Sequence, residues 1–126
     1  MAKKVILSEN APKPIGPYSQ AIMHGNLLFV SGQIAIDPVS GKLVTETLQD
    51  EVNQVLQNLH AVLAEAGMGA KNVVKCTIFL SDMSLFEEVN ALYAHYFSSL
   101  PPARETVAVK GLPKGVNVEI SCIAAL

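Results

Sequence analysis

A chain of 126 residues has the length of one domain, taken here as residues 1–126. Nine Lys and Arg against eleven Asp and Glu give a formal charge of −2, which excludes the basic surplus that phosphate-driven nucleic-acid binding needs. Half of the residues are hydrophobic and only 16% are charged, against roughly 25% in an ordinary soluble domain, so part of the surface is expected to be apolar and covered by other copies of the chain.

The longest apolar runs, such as 27–30, fall far short of the ~18–20 residues of a membrane-spanning helix. Residues 1–7 hold too few apolar positions for the core of a signal peptide, which points to the cytosol. In chain order, residues 3–7 predict a first strand, followed by an irregular stretch containing Pro12, Pro14, Gly16 and Pro17. Residues 18–23 and 27–34 predict two strands joined at His24-Gly25-Asn26, whose composition suits a hairpin turn. Residues 37–41 predict a loop.

Val52, Val55, Leu56, Leu59, Val62, Leu63 and Ala66 recur every three or four residues and predict an amphipathic helix that Gly67 ends. Its solvated face is expected to carry Asn53, Gln54, Gln57, Asn58 and Glu65. Residues 73–80 predict a fourth strand. Ser84-Leu85-Phe86-Glu87 has the form of a capping box. It predicts a second helix with Phe86, Val89, Tyr93, Tyr96 and Phe97 facing inward and Pro101-Pro102 ending it. Residues 104–110 and 116–124 predict the last strands. The order βββαβαββ implies an α+β fold, one mixed sheet with both helices on one face.

That arrangement leaves the other sheet face uncovered. Val116, Val118, Ile120 and Cys122 suit the helix side, which puts Glu119 on the open side. If Val107 and Val109 also turn toward the helices, Arg104 and Thr106 share the open side with Glu119. Arg104 follows the stiff lead-in Pro101-Pro102-Ala103, and its guanidinium is suited to a bidentate grip on a carboxylate or phosphate. Glu119 lies mid-strand, where a carboxylate is costly unless it is paired or lines a cavity. Together the two describe an anion clamp with a general acid/base. Tyr18 lies in an unusual polar run, and Gly32 within Ser31-Gly32-Gln33 marks a bulge or a close backbone approach. Cys76 and Cys122 alternate with apolar neighbours and read as core residues. His24, His60 and His95 lack ligand spacing, so no metal site is predicted, and no nucleotide fingerprint is present.

Gly16-Pro17-Tyr18-Ser19-Gln20-Ala21, Val30-Ser31-Gly32-Gln33-Ile34, and Pro102-Ala103-Arg104 followed by Val118-Glu119-Ile120 resemble the RidA/YjgF family of enamine/imine deaminases, in order and over essentially the whole chain. The resemblance implies a chorismate-mutase-like fold and a homotrimer with a central barrel and active sites between subunits. It implies small 2-aminoacrylate-type enamines and 2-imino acids, released by PLP-dependent serine and threonine dehydratases, as substrates, with 2-oxo acids and ammonia as products. It places the substrate carboxylate on Arg104, the imine end near the Thr106 backbone, and the attacking water on Glu119. Tyr18, Ser31, Gly32 and Asn90 match pocket positions. Such hydrolysis needs no metal or cofactor. Two residues depart from the pattern: Thr106 stands where many relatives carry Cys, and Glu105 follows the arginine where a small residue is usual. Competing readings are an RNA-acting translation inhibitor or ribonuclease, against which the charge argues, and a non-catalytic small-carboxylate-binding or chaperone module.

Overall fold

The computed structural model describes residues 2–126; Met1, where the N-terminal stretch read above begins, lies outside them. The chain forms strands β1 (Lys4–Ile6), β2 (Ala21–His24) and β3 (Leu27–Gln33), helix α1 (Leu48–Glu65), strand β4 (Val73–Leu80), helix α2 (Phe86–Tyr96), and strands β5 (Ala103–Ala108) and β6 (Val118–Ala125). The strands make one sheet in the order β1-β2-β3-β6-β4-β5. Every neighbouring pair is antiparallel except β4 and β5, which are parallel. Among the described residues no helix is long and apolar enough to cross a membrane.

Local chemistry explains the element ends. Gly25 takes φ 61° in the two-residue link between His24 and Leu27, the left-handed backbone that tight hairpins demand. The Thr47 side chain accepts from Asp50 N at 3.0 Å to cap α1. Its far end closes with Gly67 at φ 73°, where Gly67 N donates to Ala64 O and Met68 N to Leu63 O, both at 2.9 Å. The second helix begins differently from the capping-box expectation. Its N-cap is Leu85, with no side-chain cap, and Asp82 instead caps a short 3-10 turn over Met83–Leu85 that precedes α2, accepting from Ser84 N at 2.8 Å. That helix also ends at Tyr96, ahead of Pro101.

Both helices pack on one face of the sheet. Val118, Ile120, Cys122 and Ala124 of β6 and Cys76, Ile78 and Leu80 of β4 join Val55, Leu59 and Leu63 of α1 and Val89 and Tyr93 of α2 in one buried cluster. Two polar side chains enter this core. Asn58 does not face solvent as expected: it is 1% exposed and donates to Ile34 O at 3.0 Å and Ile36 O at 2.9 Å. Those carbonyls lie just past β3, where the regular ladder has ended, and a helix side chain supplies donors to both. Glu51 is fully buried and accepts from Asn117 N and Asn117 Nδ2, both at 2.8 Å, and from Val118 N at 3.1 Å. It fastens α1 to the start of β6, two residues before Glu119, and this clamp keeps Val116 and Asn117 out of the strand predicted for them.

The open face carries a row in register across four strands: Val5, Ile22, Phe29 and Ile123. Val5 and Phe29 are 57% and 43% exposed. Large apolar side chains aligned in this way form a patch that ordinary monomer surfaces seldom show.

Candidate functional site

The motif Ser31-Gly32 sits in a β-bulge. Val30 pairs with Cys122 and Gln33 with Ile120, so Ser31 and Gly32 together stand opposite Ser121. Glycine at the second position leaves room for the Glu119 carboxylate to lie across it: a Cβ there would meet Glu119 Oε2 at 2.5 Å and Cδ at 2.7 Å. Ser31 Oγ donates to Ser19 O at 2.6 Å and Ser31 N to Gln20 O at 2.9 Å, which tie the bulge to the polar run before β2. Tyr18, 48% exposed, accepts through its hydroxyl from Ile15 N at 3.3 Å. Tyr18, Ser31, Gly32 and Glu119 line one pocket of about 340 Å³, which Ile15 and Pro113 complete.

Glu119 is half-buried, and that burial pushes its carboxyl above the ordinary glutamate range. Among the described residues no cation pairs with it; the ion pair present, Lys75 Nζ to Glu105 Oε1 at 2.9 Å, lies elsewhere on the open face. Gly32→Ala is therefore expected to leave the fold intact, because a flexible carboxylate can swing aside. If Glu119 does chemistry, turnover should fall by at least about tenfold through misplacement. Thermal melting and steady-state rates on the same sample check both halves of this prediction.

Arg104 is placed on the opposite side of the sheet from Glu119, which corrects the shared-face expectation. Arg104 is in register with Cys76 and Thr106 with Ile78, both helix-facing, whereas Glu119 is in register with Phe79 on the open side. Val107 faces the open side at 46% exposure instead of the helices. The reason is local. Strand β5 is an edge strand beside α2, and the helix offers its guanidinium better company than the open face does. Asn90 Oδ1 accepts from Arg104 at 2.6 Å, and the guanidinium carbon lies 5.0 Å from the Tyr93 ring centre and 5.7 Å from that of Phe86. Arg104 has no carboxylate partner among the described residues. It opens with Asn90, Pro101 and Pro102 onto a second pocket of about 290 Å³. Glu105 shares the side of Glu119 and is held by Lys75.

The seven candidate residues thus form two groups, Tyr18, Ser31, Gly32 and Glu119 around one pocket, and Asn90 and Arg104 around another, with Thr106 two residues beyond Arg104 on the same side. Thr106 Oγ1 is buried without a hydrogen-bond partner. Phe86 and Tyr93 were assigned to the core stripe from sequence alone. The signal that they do more is Asn90, a polar residue set between them at helical spacing. Cys76 and Cys122 are buried as expected and directly opposed across β4 and β6. Burial pushes both thiols up, Cys122 to about 12, far from a thiolate at neutral pH. His60 Nδ1 is engaged with Tyr96 Oη at 3.0 Å. Among the described residues no three His, Cys, Asp or Glu side chains converge as metal ligands.

The family model described as Endoribonuclease L-PSP matches residues 8–126. The chain is 52% identical over 122 residues to a RutC family protein of Pyrococcus horikoshii, covering 97% of each. It is 45% identical over 124 residues to the chloroplastic Reactive Intermediate Deaminase A of Arabidopsis thaliana, covering 98% of this chain and 66% of that one. It superposes on the crystal structure of E. coli TdcF with bound serine at a TM-score of 0.93, with 35% identity over 98% of both chains. The family model takes in both helices, the bulge and every strand from β2 onward, and the chain belongs to the RidA/YjgF family.

Proposed function

We propose that this chain is a cytosolic, single-domain, cofactor-independent hydrolase. It converts 2-aminoacrylate-type enamines and 2-imino acids, the products of PLP-dependent serine and threonine dehydratases, to 2-oxo acids and ammonia in the clefts of a homotrimer. The observation that carries the reading is the pairing of two incomplete half-sites. An arginine without a carboxylate and a glutamate without a cation open onto separate pockets on opposite sides of the sheet. A second copy that brings its Arg104 side against the Glu119 pocket of the first completes an anion clamp and an acid/base in one cleft. The apolar row Val5, Ile22, Phe29 and Ile123 supplies surface for such packing.

In this reading the substrate carboxylate docks on Arg104, with Asn90 holding the guanidinium and the Thr106 backbone near the imine end. Tyr18, Ser31 and Gly32 shape the other wall. Glu119 accepts a proton from water as its oxygen bonds to the imine carbon, and returns a proton to nitrogen. The resulting carbinolamine then passes its hydroxyl proton through Glu119 to nitrogen as the C–N bond breaks, so that ammonia leaves and the carbonyl of the 2-oxo acid remains. The serine-bound neighbour supports a small amino-acid-like ligand, and the relative named for reactive-intermediate deamination supports the reaction. The endoribonuclease description finds no basic surplus in this chain to act on RNA.

The test is subunit mixing. Arg104→Ala and Glu119→Gln chains, each inactive alone, are co-expressed and assayed for ammonia and 2-oxo acid from an imine generated in the cuvette by a dehydratase. Random assortment gives about a quarter of the interface sites both intact groups, and activity should recover to about that level. No recovery would place the site within one chain or remove it.

A further inference from the structure

The core stripe of α2 contains two aromatic rings that also meet the one arginine of the chain. Phe86, Asn90 and Tyr93 follow one another at helical spacings of four and three, so they share one face of α2, and that face meets Arg104. Asn90 takes one guanidinium N–H at 2.6 Å. Tyr93 stands 5.0 Å and Phe86 5.7 Å from the guanidinium carbon, inside the ~6 Å reach of a cation over a ring face. Tyr93 is 4% exposed, and its hydroxyl is buried beside the Cys76 thiol, so the ring is held in place under the guanidinium.

We propose that Tyr93, assisted by Phe86, is a positioning residue: its ring face is the shelf that fixes the plane and direction of the Arg104 guanidinium, and it thereby sets affinity for the substrate carboxylate. This rests on the reading of Arg104 as the carboxylate anchor. An arginine on an edge strand has several free torsions, and a carboxylate binding to it must first immobilise them. Asn90 restrains one nitrogen only. A ring below the guanidinium removes the remaining tilt, leaves the outward N–H groups unpaired, and excludes water from the inner side. Because the shelf acts equally before and during the chemical step, its loss appears in KM and leaves kcat nearly untouched.

Two readouts on the intact protein test this. The first is the Nε–H resonance of Arg104, assigned by its disappearance in Arg104→Lys and shifted by the ring current of the shelf. The second is the KM and kcat for the dehydratase-generated imine, with the affinity for 2-oxobutanoate as a binding probe. Tyr93→Leu is expected to remove the ring-current shift, raise KM and the probe's Kd about 5- to 20-fold, and leave kcat within about threefold. Tyr93→Phe, which keeps the ring, should restore both readouts. If Tyr93→Leu does not fold, Phe86→Leu at the half-buried second wall carries the test, with a KM change of about threefold. An unchanged resonance and KM in these variants overturns the shelf. Equal losses in Tyr93→Phe and Tyr93→Leu overturn it too, since the hydroxyl would then be the working part. If the wild type neither turns over imine nor binds 2-oxobutanoate while Tyr93→Leu still moves the resonance, the shelf stands and the deaminase reading falls.

Discussion

Glu119→Gln is expected to retain the fold and the affinity for small carboxylates while losing about 10²-fold in turnover, the usual size of a general acid/base contribution. The amide matches the carboxylate in shape and still fits over Gly32, so the bulge is undisturbed, but it cannot take a proton from water. The pH profile should show the same group. Glu119 acts as a base only when ionised, so kcat/KM falls as the pH drops through its pKa. Burial raises that pKa, so the fall should begin at higher pH than an ordinary glutamate would give, and the glutamine variant should lack this limb. The fitting control is Glu105→Gln. Glu105 occupies the same side of the sheet, yet it is exposed and paired with Lys75 at 2.9 Å, and surface pairs of this kind contribute little. Turnover in Glu105→Gln should stay within about twofold of wild type. If the two losses came out reversed, Glu105 would be the acid/base and the assignment of Glu119 would be wrong.

Arg104→Lys should be severely impaired although the charge is kept. An ammonium is a compact donor that cannot offer two parallel N–H groups to a carboxylate while a third is held by Asn90, and it lacks the flat surface that rests on Tyr93 and Phe86. The expected loss is about 2–4 kcal/mol in kcat/KM, or roughly 30- to 1000-fold. The measurement is kcat/KM with the coupled dehydratase assay, supported by a melting curve. Arg104 is a partly exposed edge residue, so the variant should fold normally. A near-wild-type kcat/KM would remove the carboxylate clamp from the mechanism.

The fold was legible where one physical signal dominated. The α1 stripe, Gly67, the hairpin and the strand over Val73–Leu80 all stand as the patterns indicate, because each reflects local periodicity or a backbone angle only glycine reaches easily. Among the site residues, the Ser31-Gly32 bulge and the cavity-lining Glu119 were legible for the same reason. The side on which Arg104 lies was not. Parity within an edge strand says which residues alternate but not which set faces inward, and assigning Val107 to the helices by hydrophobicity failed because neither side of β5 is fully buried: Arg104 and Thr106 are only half-covered on the helix side, and Ala103, Glu105 and Val107 are exposed on the other. Burial of Glu51 and Asn58 was equally hidden. Their partners are backbone groups 66 and 22–24 residues away in sequence, and no spacing rule connects a helix amide to carbonyls beyond a bulged strand.

Gln20 has a consequence for how this site can change. It is 1% exposed and holds residues 8–12 by main-chain atoms alone: its Oε1 accepts from Ser8 N at 2.6 Å, and its Nε2 donates to Ser8 O, Ala11 O and Pro12 O at 3.1, 3.4 and 2.9 Å. The stretch it anchors continues into Lys13 and Ile15, which form one wall of the Glu119 pocket. Because the grip ignores side-chain identity, the residues of that wall can be replaced one at a time while the loop keeps its course. The candidate acid/base and anion anchor sit on strands and beside a helix, so a preference among ligands could drift on a segment that one amide keeps in shape. Libraries that randomise positions 13 and 15 and leave Gln20 untouched would search selectivity without searching foldability.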